Sequence, residues 1–479
     1  MLLKIFPSLV ESKFIKAINW FFYSYFYVGA IALLTALCCI FGFEMPAFYI
    51  YVTCGCIIPC LFCKDMTPLL APLAMAYSSV SIKTNNSKEG VTLFGGRWYH
   101  LYIIIGLIFI FVITRLIFDL ITNKEKRHTK HYLLPGYLFF GVTLMLGGLL
   151  SGLYSSKDLV FGLVEFLALF GSYFLLLYLI NWKEMKIDYL IWLMMFYGIT
   201  LSMEVIAMQI VNLGEGVQTG WGCNNNIAGQ LCMCIGAPIY LALKKKIAPI
   251  YLIICSIFMV CVGLTNSRTG VFISGVLFIV SIVILLIKGN KNKRIATIIV
   301  LTISTGLFFG FFFGFKDLSE LLFGHLLHTF DNKEDLLSLS GRITIWKEGW
   351  QNYLNNRTFG TGWYHSPIGG RGNYFTYDFM PPRYHNTFFQ LIGALGTFGL
   401  IAYIYHRYQT IRMTFTKLTL EKAYLFILIL GLLLTSLLDC HLFNLGPGLN
   451  YCILLAAIEG INIKNDIKVN KISFRKFFN

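Results

Sequence analysis

The sequence predicts an all-α, polytopic integral membrane protein, and three observations carry that prediction. Hydrophobic residues make up 57% of the chain and charged residues only 13%, with a mean hydropathy of +0.69. A soluble domain carries about a quarter charged residues. Apolar stretches of roughly 18 to 24 residues recur along nearly the whole length, each long enough to cross a bilayer as a helix. Between them, Lys and Arg gather in alternate connections, as the positive-inside bias requires.

The elements follow in order. The first apolar run, 20–43, is too long for a signal-peptide core and lacks a small-residue cleavage site after it, so it reads as a span. Further spans are expected near 47–63, 66–82, 101–122, 132–154, 159–180, 189–211, 227–243, 248–264, 270–287, 295–315, 385–404, 423–439 and 447–463, about 14 in all. The segment 66–82 contains Pro68 and Pro72. If it is re-entrant, the count falls to about 12. The expected organisation is an N-terminal bundle (1–226), a helix group with a Ser-Arg-Thr-Gly hairpin (227–315), one large loop (316–384), closing helices (385–463) and a basic tail (464–479).

The net charge of +16 belongs to the membrane rather than to nucleic acid. With both termini cytoplasmic, 26 of the 39 Lys and Arg fall inside, in clusters such as Lys244-Lys245-Lys246 and Arg407 to Lys422. Five fall in short outer segments, Arg115 lies within a span, and seven lie in the long loop. This asymmetry is expected to put the loop from Lys316 to Tyr384 outside the cytoplasmic membrane.

The 13 cysteines lie in or beside spans and none is in the long loop, which speaks against a disulfide framework there. Cys60-x-x-Cys63 has redox or zinc spacing, but no second pair follows, and small apolar packing residues are the plain account. No metalloprotease, phosphate-loop or dinucleotide motif is present. Arg115 and Asp119 stand four apart on one helix and can neutralise each other. Glu165 and Glu204 lie within spans without an evident partner in sequence.

The long loop is neutral in sum, with seven basic and seven acidic residues, and holds 13 aromatics. Its stretch 340–353 reads as an amphipathic helix with Ser340 as N-cap. Arg342, Trp346, Trp350 and Tyr353 share one face at helical spacing. Such a face suits an interfacial anchor; it equally suits an Arg on an anionic group beside aromatic faces for sugar rings. Gly360-Thr361-Gly362 allows a tight turn with exposed backbone N–H groups, although a plain loop explains it as well. Arg383, His385 and Asn386 gather at the mouth of the next span, and Asp439, Cys440 and His441 mark the outer end of a later one.

A second constellation is Asn266-Ser267-Arg268-Thr269-Gly270, between two spans on the outer side, where the positive-inside bias does not explain an Arg. Placed in hydrocarbon it would cost about 2.5–3.5 kcal/mol, so an anionic partner is expected. A phosphate fits, because a guanidinium binds two oxygens at once. A third outer loop, Thr219-Gly220-Trp221-Gly222-Cys223-Asn224-Asn225-Asn226, is Gly- and Asn-rich and precedes another span; it can supply hydrogen bonds to sugar hydroxyls, Asn226 among them, and turn chemistry is the ordinary account.

Arg268 in Ser-Arg-Thr-Gly, Arg342 in Gly-Arg-Ile-Thr-Ile-Trp, and His385-Asn386 opening the helix after the long loop resemble the O-antigen ligase and O-antigen polymerase superfamily. The likeness runs over roughly 220–460 in motif order and topology. It implies a metal-independent, cofactor-free glycosyltransferase of the bacterial inner membrane that works on its outer side. The implied partners are an undecaprenyl-diphosphate-linked glycan as donor, an acceptor glycan or lipid, and membrane lipid. By the resemblance, Arg268 and Arg342 hold the diphosphate and His385 acts as base or acceptor-positioning group. Arg383, Asn386, Trp346 and Asn226 are the expected substrate-binding residues. A lipid-linked oligosaccharide flippase and a protein O-oligosaccharyltransferase are the competing readings.

Overall fold

The computed structural model describes residues 1–5, 10–42, 44–76, 99–123, 129, 131–211, 213–214, 218–219, 222–327, 342–364 and 383–469. Among the described residues, regular structure is helical apart from a two-residue antiparallel pair, Gln218–Thr219 with Gly222–Cys223. Among the described residues, six helices are long and apolar enough to cross a membrane, seven if one bent pair is a single span. The molecule is thus an all-helical, multi-pass membrane protein. It divides into two compact units. The first holds 1–126, 179–329 and 427–431; the second holds 127–178, 330–426 and 432–479.

In the first unit, the expected span 20–43 is two helices, Lys13–Phe22 and Tyr25–Phe41, bent by 60°. The break has a local cause: Ser24 leaves helical geometry and caps the second helix, accepting from the Tyr27 N–H. Of the expected span 66–82, a short helix Leu70–Met75 is described; residues 77–82 lie outside the described residues. Arg115, buried at 1% exposure, pairs with Asp119 at 3.2 Å. Its remaining donors reach the carbonyls of Cys60 (2.8 Å) and Lys64 (2.6 Å). Those carbonyls end the helix Ile58–Phe62, so one guanidinium satisfies both a buried carboxylate and a helix C-terminus. Cys60 and Cys63 are buried free thiols. Tyr99–Thr122, which carries Arg115, and Ile187–Val211, Asn224–Lys244, Ala248–Leu264, Arg268–Lys288 and Lys291–Gly314 are the unit's other long helices among the described residues.

In the second unit, the expected helix 132–154 ends early, at Leu146. The helix Thr387–Phe415 is broken by a π-turn at Leu391–Leu395. Both departures have one cause. Gly148 (φ +81) and Gly396 (φ +68) take left-handed backbone. A Cβ on Gly148 would lie 2.6 Å from the Gly362 Cα, and one on Gly396 2.5 Å from the Gly360 N. The segment 357–364 is wedged between these two corners. Its backbone bonds include Gly148 N–H to the Phe359 carbonyl (2.7 Å) and Thr397 N–H to the Arg357 carbonyl (2.8 Å). The next helix, Ser156–Phe166, starts from a capping box of Ser155 and Asp158. At the unit's other end, buried Glu459 accepts from the Tyr173 hydroxyl and from the Tyr132 N–H, which closes the start of the Leu134–Leu146 helix.

Candidate functional site

The expected mouth residues lie in one short segment, pinned along its length to the turn between the helices Leu420–Thr435 and Leu445–Lys464. Arg383 donates to the carbonyls of Cys440 (3.1 Å) and Phe443 (2.8 Å). Asn386 donates to the Leu437 carbonyl (2.6 Å) and caps the following helix, accepting from the N–H groups of Phe388 and Phe389. Thr387 N–H reaches the Ser436 carbonyl at 3.0 Å. Between these anchors His385 adopts φ 50, a conformation that costs a non-glycine residue and is kept only where the surroundings fix it.

That backbone places His385 Nδ1 3.3 Å from Asp439 Oδ1. The His385 side chain is 40% exposed and the Asp439 side chain 13%, so the ring faces outward while its acid is sheltered. Burial works against the Asp439 charge. The neighbouring His441, the hydrogen bond and charge of His385 and the Cys440 N–H outweigh it and hold the carboxyl well below its ordinary range. With Asp439 ionised, the imidazole proton belongs on Nδ1, which leaves Nε2 as the free acceptor. His441 is buried. Burial pushes its basicity down; Asp439 opposes this, while Arg383, His385 and Arg342 add to it.

Arg342 opens the helix Arg342–Asn355; Ser340, the expected cap, lies outside the described residues. Trp346 donates its indole N–H to the Tyr384 carbonyl at 3.0 Å and stacks on Phe389 (5.4 Å, 12°). The inward stripe of this helix runs through Trp346, buried Gly349 and Asn352. Trp350, expected on the same face as Arg342, is 47% exposed. The helix is turned by part of a residue spacing relative to the expectation, because Gly349 is where Tyr384 fits.

Gly360-Thr361-Gly362 has no free donors. The three N–H groups reach the carbonyls of Asn356 (2.9 Å), Gly393 (2.8 Å) and Ala394 (3.1 Å). The Trp363 indole N–H reaches the Leu144 carbonyl, and the Tyr364 backbone N–H reaches Asp158 Oδ1. The turn is a structural wedge.

In the first unit, Arg268 opens the helix Arg268–Lys288, with Ser267 as N-cap. The Ser267 hydroxyl accepts from the Gly270 N–H at 3.2 Å and donates to Asn225 Oδ1 at 2.8 Å. Asn225 belongs to the first turn of Asn224–Lys244. The two helix starts lie side by side: a Cβ on Gly270 would come 2.6 Å from the Ala228 Cβ. Arg268 Nε is buried and meets no acceptor among the described residues. Asn226 gives its carbonyl to Gln230 at 3.1 Å. Arg268 and Asn226 thus belong to the first unit; Arg342, Trp346, Arg383, His385 and Asn386 belong to the second.

Sequence reasoning missed Tyr384, Asn352 and Gln390, which hold the His385 segment. Asn386 and Gln390, four apart on one turn, were the available signal. Asp439 and His441 were noted only by their place at a span end.

No curated protein matches the chain. Residues 251–404 match a family model described as O-antigen ligase, a match that takes in Arg268, Arg342, Trp346, Arg383, His385 and Asn386. About a third of the chain is covered, and over that stretch this membrane protein is similar to the O-antigen ligase family.

Proposed function

We propose that the chain transfers a glycan from an undecaprenyl-diphosphate-linked donor to an acceptor hydroxyl, on the outer side of the cytoplasmic membrane, in the manner of an O-antigen ligase or polymerase. The observation that carries this reading is His385 on Asp439, the imidazole 40% exposed and its carboxylate sheltered. The acceptor oxygen attacks the anomeric carbon of the donor sugar. The bond from that carbon to the phosphate oxygen breaks, and its electron pair leaves with the diphosphate. The hydroxyl proton passes to His385 Nε2, and Asp439 stabilises the imidazolium that results.

Arg342 neutralises the charge that builds on the leaving diphosphate, an effect worth several kcal/mol in a site shielded from water; the family resemblance gives Arg268 the same role. Outside the membrane there is no nucleotide sugar, so activation has to arrive with the lipid carrier. Arg383 and Asn386 have their side chains engaged by the 437–443 turn, and we assign them to positioning His385.

Transfer from a purified lipid-linked donor in proteoliposomes tests the reading. Arg342→Ala and His385→Ala are expected to abolish product while the protein still inserts; normal transfer by a correctly inserted Arg342→Ala protein would sink it. Orientation is tested separately with a membrane-impermeant thiol reagent. It should label a cysteine at Lys347 in intact cells and one at Lys417 only after lysis.

A further inference from the structure

Tyr384 joins the helix that carries Arg342 to the segment that carries His385. It is 1% exposed. Its carbonyl accepts from Trp346 Nε1 at 3.0 Å, its N–H donates to Gln390 Oε1 at 3.1 Å, and its hydroxyl accepts from Asn352 Nδ2 at 2.8 Å. Its ring lies between two glycines. A Cβ on Gly349 would come 2.8 Å from the ring Cδ1, and one on Gly393 2.8 Å from Cζ. Space for this ring exists only because both positions lack a side chain.

Trp346, Gly349 and Asn352 follow one another at intervals of three residues, so they form one stripe of the Arg342–Asn355 helix. Contacts at three levels of a helix restrict both its rotation and its slide. A slide of one residue moves a helix by about 1.5 Å and turns its face by about a quarter-turn, which would break all three contacts together. The other side of Tyr384 is one peptide bond from His385.

We infer that Tyr384 is a positioning residue: it sets the helix start at Arg342 in register with the His385–Asp439 pair. The inference rests on the assignment of Arg342 to the donor diphosphate. A cation serves a transition state only when held where charge develops, and displacements near 1 Å cost about 10²-fold. The cohesion of the Tyr384 contacts is therefore read in kcat more than in KM.

The test uses the full-length protein in proteoliposomes with purified lipid-linked donor, and size-exclusion profiles to confirm folding. Tyr384→Phe and Asn352→Leu each remove the same hydrogen bond, and each is expected to lower kcat about tenfold while the KM for donor moves by less than about threefold. The double variant should lose no more than either single one, since both act on one contact. Asn352→Asp should retain near-normal kcat, because the Tyr384 hydroxyl can then donate to the carboxylate. Wild-type kcat in folded Tyr384→Phe and Asn352→Leu, beside an inactive Arg342→Ala, overturns the positioning role and leaves the function standing. Additive losses with no rescue by Asp also overturn it. Wild-type transfer by Arg342→Ala overturns the function itself, and the inference with it.

Discussion

His385 reaches Asp439 across 3.3 Å from a left-handed backbone, and the acid it reaches is the more sheltered of the two. That order suits a base that must be open to a substrate hydroxyl while its orienting partner is protected from water. Asp439→Asn keeps the shape but lets the amide accept or donate, so the imidazole tautomer is no longer fixed. Transfer is expected to fall by about 10²-fold or more, with the folded protein recovered in normal yield. Turnover at the wild-type rate would remove Asp439 from the site.

The same carboxylate predicts a stability profile. Its folded pKa is depressed: burial opposes the charge, and His441, His385 and the Cys440 N–H outweigh it. A depressed acid contributes stability that is fully present above its unfolded value of about 3.9 and is lost as pH falls through the lower folded value. The melting-temperature gap between wild type and Asp439→Asn in detergent should narrow as pH falls below about pH 4. A gap that instead narrows between pH 6 and 7 would assign the effect to a histidine.

Much of this was legible in the chain because hydropathy and helical spacing are local signals. The long helices, the inward Trp346 and the grouping of Arg383, His385 and Asn386 all rest on neighbours within a few residues. The rest depended on distant partners. The helix that stops at Leu146 is apolar well past that point; it stops because the segment 357–364 docks there, more than 200 residues away in sequence. The Gly360-Thr361-Gly362 turn reads as an open nest of donors until the carbonyls of Gly393 and Ala394 are placed on it. Asp439 gives no local hint that its partner is His385.

Arg115 offers a test of how the membrane tolerates its buried charges. Arg115→Leu removes the ion pair of buried Asp119 and strips the Lys64 carbonyl of its Arg115 donor, while the Cys60 carbonyl keeps the N-terminal ammonium at 2.7 Å. Losing one partner of a buried pair costs about 3–5 kcal/mol. Arg115→Leu is expected to lower the yield of folded protein sharply. The double variant Arg115→Leu, Asp119→Leu should recover it only in part, since the Lys64 carbonyl still lacks the Arg115 donor. Full recovery by the double variant would mean that the ion pair alone needs Arg115 and that the helix end does not.

The docking of 357–364 predicts that a glycine far from the chemistry controls it. Gly148→Ala introduces a Cβ 2.6 Å from the Gly362 Cα on backbone at φ +81, so neither a rotamer change nor a small side-chain shift relieves the clash. Left-handed strain and overpacking each cost about 1–3 kcal/mol. The wedge is expected to detach before the helices unfold, because it is held by a few backbone bonds and the buried Trp363. Trp363 is 2% exposed, so its detachment should appear as a red shift of tryptophan emission and as new proteolysis near Arg357, at temperatures where helicity is unchanged. Transfer should fall in parallel, because the Thr397 and Phe398 N–H groups that bond this segment follow directly on the π-turn leading from His385. Gly148→Ala with wild-type emission, proteolysis and transfer would show that the wedge neither seats here nor supports the site.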